Sequence, residues 1–107
     1  MNRYEVMLLM VPDLEKDKYS EIMDKVSKDI ESHKGKLESW QIWGEGKRKL
    51  AYSIRSRGAY KKRYDEGIYI LSYFRLEPDG LKRLKYLLSL EENVLRFLVI
   101  KKGESNG

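Results

Sequence analysis

A chain of 107 residues, 41% apolar and 36% charged, has material for one compact domain with one core and not for two. It carries no cysteine and a single histidine, His33, which excludes disulfides, thiolate metal sites and histidine clusters, so neither a metal nor a cofactor is expected. The formal net charge of +5 is uneven: residues 1–46 hold 7 Lys or Arg against 10 Asp or Glu, whereas residues 47–107 hold 15 against 7, so a polyanion would meet the second half.

Arg3 to Val11 lacks a helical period and is bounded by Pro12-Asp13, which predicts a strand ended by a turn. Tyr4, Val6, Leu8 and Met10 share one face. Arg3, Glu5, Met7, Leu9 and Val11 share the other, which is also largely apolar, so the strand belongs in the middle of a sheet. The apolar run Val6 to Val11 is too short for a signal sequence or a membrane span, so a soluble cytoplasmic protein with no membrane partner is expected.

From Leu14 to His33, apolar residues at Leu14, Tyr19, Ile22, Met23, Val26 and Ile30, with Gly35 just beyond, predict one amphipathic helix with a charged outer face. His33 near its end reads as a cap. Lys36 to Ile54 is rich in β-favouring residues and interrupted by Gly44-Glu45-Gly46, which predicts one long, bent strand with a glycine bulge. A basic connection, Arg55 to Glu66, follows. Gly67 to Leu76 predicts a strand with Ile68, Ile70, Ser72, Phe74 and Leu76 on one face and Tyr69, Leu71, Tyr73 and Arg75 on the other.

Pro78-Asp79 opens a second helix to about Leu90, striped by Leu81, Leu84, Leu87 and Leu88. Asn93 to Lys101 is the last strand, with Leu95, Phe97 and Val99 opposed to Arg96, Leu98 and Ile100. One domain over residues 1–101 and a polar tail over 102–107 are expected. The order β-α-β-β-α-β predicts the ferredoxin-like arrangement, a four-stranded antiparallel sheet with both helices on one face and the first and third strands in the centre. Met7, Leu9, Tyr69, Leu71, Tyr73, Leu98 and Ile100 then form an apolar patch on the face without helices, which on a small domain marks a partner site.

Between Lys47 and Arg63 stand eight cations and no acid: Lys47, Arg48, Lys49, Arg55, Arg57, Lys61, Lys62 and Arg63, interleaved with Tyr52 and Tyr60. Such a run reads as a surface for nucleic acid, since each cation brought to a phosphate releases condensed counterions. A solvated hairpin whose cations protect a sheet edge is the alternative.

Arg3-Tyr4-Glu5 opening a strand, Gly46 followed by Lys47-Arg48-Lys49-Leu50-Ala51-Tyr52 with Ile54 beyond, and Val94-Leu95-Arg96-Phe97-Leu98 closing the sheet together resemble the ribosomal protein six family of the bacterial small subunit. The resemblance implies the same fold, no catalysis, binding to small-subunit ribosomal RNA, and pairing with ribosomal protein eighteen through the open sheet face. It implies an RNA-binding role for Arg3, Lys47, Arg48, Lys49 and Arg96; Arg55, Arg57, Lys61, Lys62 and Arg63 are candidates on charge alone. Two rivals share the strand order. An RRM-like module wants a basic residue before Gly67 and aromatics at the first and third positions after it, but Glu66, Ile68 and Ile70 stand there. An acylphosphatase-like enzyme wants a phosphate cradle where Pro12-Asp13 lies; Asn93 and Arg96 alone do not supply a mechanism, and no small-molecule substrate is expected.

Overall fold

The computed structural model describes residues 1–44, 46–56 and 62–104. Seven elements follow one another: β1 (Asn2–Met10), α1 (Lys16–Ser32), β2 (Lys36–Ile42), β3 (Arg48–Arg55), β4 (Arg63–Leu76), α2 (Pro78–Leu90) and β5 (Val94–Glu104). The strands pair antiparallel in the order β2-β4-β1-β5, with β3 paired to β4 off this path. The expected first and third strands are therefore central, and the ferredoxin-like plan holds with five strands instead of four.

Both helices lie on one face. Tyr19, Ile22, Met23, Val26 and Ile30 of α1, with Leu84 and Leu88 of α2, close over Tyr4, Val6, Leu8, Met10, Ile70, Phe74 and Leu76 to form the main core. Tyr4 stands opposite Phe74 in the β1–β4 register, their rings 5.7 Å apart. The strand alternation read from sequence matches the burial along β4, whose even-numbered residues from Ile68 to Leu76 are buried while the odd-numbered ones are half-exposed. His33 caps α1, its Nδ1 lying 2.9 Å from the Asp29 carbonyl oxygen.

Three expectations need correction. The long bent strand is two strands: β2 stops at Ile42, and the chain turns through Gly44, at φ +77°, before β3 begins. β4 is 14 residues long and starts at Arg63, so the basic connection ends four residues earlier than expected. That length lets β4 take two partners in succession, β3 along Arg63–Gly67 and β2 along Ile70–Arg75. The polar tail is strand as far as Glu104.

The β3–β4 pair makes an arm. It is anchored by a second buried cluster on the face without helices, in which Ile54 meets Leu9, Val11 and Leu95, with Leu50, Tyr64 and Tyr69 packed at its margin. Leu95 had been expected beside Phe97 and Val99. A register shift between Leu9 and Met10 in the β1–β5 pairing turns it to the opposite face, since a bulge inserts one residue and reverses the alternation beyond it. Gly67 sits where β4 passes from arm to central sheet. A Cβ there would lie 2.5 Å from Leu9 Cδ1, so glycine lets the Leu9 side chain lie across the strand.

Candidate nucleic-acid and protein interface

The register fixes the layout of the open face. Leu71, Met7 and Leu98 form one row across β4, β1 and β5; Tyr73, Glu5 and Ile100 form the next; Tyr69, Leu9 and Arg96 form the one beside the arm. Leu98 is 60% exposed and Ile100 42%, high values for large aliphatic residues, and both stand on the edge strand β5. Met7, Leu71, Tyr69 and Tyr73 are half-buried by their neighbours. Leu9 differs: at 5% exposure it belongs to the cluster beneath the arm and supports the patch from below instead of forming its surface.

An open hollow of about 290 Å³ lies between the arm and this patch, lined by Met7, Leu9, Tyr52, Ile54, Tyr69, Arg96, Phe97 and Leu98. Tyr52, 77% exposed, stands over it. The Tyr73 hydroxyl donates a 2.8 Å hydrogen bond to Glu5 Oε1, which raises the Tyr73 phenol above its ordinary value. Glu5 is thereby engaged by Tyr73, and Arg96 donates to the Leu95 carbonyl at 2.7 Å and not to Glu5.

On the arm, Lys47, Arg48, Lys49, Arg55, Lys62 and Arg63 are all exposed. Arg57 and Lys61 lie outside the described residues. Lys47, Lys49 and Arg55 make no ion pair among the described residues, and Arg55 stands directly opposite Arg63, a like-charge pairing that costs stability in a sheet. Arg63 donates to Ser53 Oγ at 3.3 Å. Lys62 is tied down beside Ser56: its amide donates to Ser56 Oγ, its carbonyl accepts from the Ser56 amide, and its ammonium lies 3.3 Å from Asp13 Oδ2. Arg48 is held over the Trp43 ring, 4.3 Å from its centroid.

Arg3 lies at the far end of the open face. Its Nε donates to Glu38 Oε1 at 3.2 Å, and Arg75 Nε lies 3.6 Å from Glu38 Oε2. Lys36 and Arg75, which border the same spot, were missed as site residues because their adjacency depends on strand register. Trp43 was read only as a strand residue.

The rival arrangements find no support in the geometry. Ile68 and Ile70, at the positions where an RRM carries stacking aromatics, are buried toward the helices. Asn93 is bonded to Glu91, and no group of three His, Cys, Asp or Glu converges among the described residues. Among the described residues no helix is long and apolar enough to cross a membrane.

Comparison with known proteins gives a consistent result. The family model described as ribosomal protein S6 matches residues 3–101. The chain is 31% identical to the small ribosomal subunit protein bS6 of Desulforamulus reducens over 104 residues, 97% of this chain and 100% of that one. It is 35% identical to the bS6 protein of Natranaerobius thermophilus over 101 residues, 94% and 96% of the two chains. Its fold resembles the crystal structure of 30S ribosomal protein S6 from Thermotoga maritima with a TM-score of 0.76 and 26% identity, covering 94% of this chain and 87% of that one.

Proposed function

Since the chain belongs to the ribosomal protein S6 family, a non-catalytic structural component of the small ribosomal subunit, we propose that it joins the subunit by two surfaces, holding ribosomal RNA with its cations and ribosomal protein eighteen with its open sheet face. Its place in the cell is the ribosome.

The carrying observation is the row Leu71–Met7–Leu98 with Ile100 beside it. Apolar side chains that alternate with core residues cannot join the helix-packed core, and fully burying an exposed one such as Leu98 against a partner is worth up to roughly 1.5 to 3 kcal/mol. A polypeptide partner suits this face better than RNA because the row carries no cation and the stacking positions of an RRM are occupied by buried isoleucines. The exposed cations of the arm and Arg96 border the patch on one side, and Arg3 borders it on the other. RNA contact at these borders is electrostatic and shape-directed, since phosphates carry no sequence information.

Binding of a small-subunit ribosomal RNA transcript, with ribosomal protein eighteen present, is to be measured across a series of salt concentrations. A steep negative log-log slope is expected, and replacing Arg48 and Lys49 together by Ala should make it shallower by about two while leaving the fold intact. A slope near zero for the parent protein would refute the electrostatic reading.

A further inference from the structure

We propose that Arg3, Arg75 and Lys36 form a second phosphate site, separate from the arm, in which Glu38 occupies the place that an RNA phosphate takes on binding. The inference rests on the RNA reading above and adds to it where a phosphate is held.

Three observations converge. Arg3 pairs with Arg75 across β1 and β4, and Arg75 pairs with Lys36 across β4 and β2, so three cations stand side by side in one row. Directly opposed like charges are unfavourable in a sheet, so such a row needs an anion. The acid it has is Glu38. A register shift between Leu37 and Ser39 inserts Glu38 as the extra residue of a bulge, a device that re-aims a side chain, and its two carboxylate oxygens face Arg3 Nε and Arg75 Nε.

One carboxylate leaves the row under-neutralised. Nearby acids are engaged elsewhere: Glu5 accepts from Tyr73, and Glu77 lies 3.6 Å from the N-terminal ammonium. Arg75 Nε is shielded from solvent yet donates no hydrogen bond among the described residues, its carboxylate neighbour standing too far off at 3.6 Å. Beside it an open hollow of about 290 Å³ is lined by Lys36, Glu38 and Arg75. A phosphate seated there, with more acceptor oxygens than a carboxylate and a guanidinium fork on either side, would satisfy Arg75 Nε and neutralise Lys36 as well. Glu38 then acts as an internal stand-in that competes with the incoming phosphate for both arginines.

The test uses the same transcript and partner protein, with three variants confirmed as folded by thermal melting. Lys36→Gln/Arg75→Gln should make the salt slope shallower by about two, and its effect should add to that of the arm variant. Lys36→Gln alone, at an exposed position, should reduce the slope by about one. Glu38→Gln, which removes the stand-in, should tighten RNA binding several-fold. Parent-like slopes in both row variants, or weaker binding by Glu38→Gln, overturn the second site; if the arm variant still weakens binding, the RNA reading survives that result. A parent protein with no salt dependence overturns both.

Discussion

The Arg48 guanidinium carbon lies 4.3 Å from the centroid of the Trp43 ring, and the other side of that contact is fixed too, because Trp43 meets Tyr69 edge-on at 6.0 Å. The Trp43 amide donates to the Tyr69 carbonyl, so the indole is pinned to the central sheet while Arg48 begins the arm. Gly44 makes the turn possible: its φ is +77°, and a Cβ there would lie 2.5 Å from an Arg48 terminal nitrogen. The Arg48 guanidinium is thus held in place by the protein's own side chains.

Trp43→Ala removes that orientation and leaves the charge. A cation–π contact at an exposed site is worth about 0.5–1 kcal/mol, so RNA affinity should fall by roughly two- to five-fold. The salt slope should not move, since the number of cations is unchanged. A shallower slope in Trp43→Ala would mean that Arg48 has left the RNA altogether and that Trp43 does more than orient it.

Two tyrosines give the stability a dependence on alkaline pH. Burial pushes the Tyr19 phenol above the ordinary value of 10.0, and the hydrogen bond to Glu5 does the same for Tyr73. The sign follows from linkage: with a folded-state pKa above the unfolded one, the contribution is complete below about pH 10 and is lost as pH rises through the raised values. Denaturant midpoints taken from about pH 9 to 11 should fall less steeply for Tyr19→Phe and Tyr73→Phe than for the parent. Identical pH profiles in all three proteins would show that neither phenol is coupled to folding.

The sequence made the central strands and both helices legible because their apolar residues recur at the periods of strand and helix, and burial enforces those periods. Arg63 to Glu66 escaped notice because an arm clear of the core has no such alternation beyond Tyr64. The Gly44–Gly46 segment looks alike as a bulge or as a break between two strands; what decides is the length of β4, which offers each half a different stretch of partner. Leu95 and Glu38 were misplaced or overlooked for one shared reason: each lies at a register shift, where alternation read along the chain no longer tells which face a residue takes. The basic run itself was plain in the sequence. The row Arg3–Arg75–Lys36 was not, since its paired members stand 72 and 39 positions apart and only strand pairing brings them together.

Leu9 and Leu98 separate stability from binding on one sheet face. Both were expected in the partner patch, yet Leu9 is 5% exposed beneath Ile54 of the arm, and Leu98 is 60% exposed with no element covering it among the described residues. Leu9→Ala removes buried atoms from a cluster that also contains Val11 and Leu95, and losses of this type cost about 2–5 kcal/mol. Leu98→Ala removes atoms that the isolated protein leaves in water, so its stability should change by no more than about 0.5 kcal/mol. Binding to ribosomal protein eighteen, measured by calorimetry at a temperature where both variants are folded, should respond in the opposite order. Truncating a central contact of an interface costs more than about 1 kcal/mol, so Leu98→Ala should lose at least roughly five-fold in affinity, while Leu9→Ala, once folded, should bind nearly as the parent does. Should Leu98→Ala prove destabilising and Leu9→Ala neutral, the arm does not rest on the sheet as described. Should Leu98→Ala change neither stability nor binding, the partner docks elsewhere and the exposed row needs a different occupant.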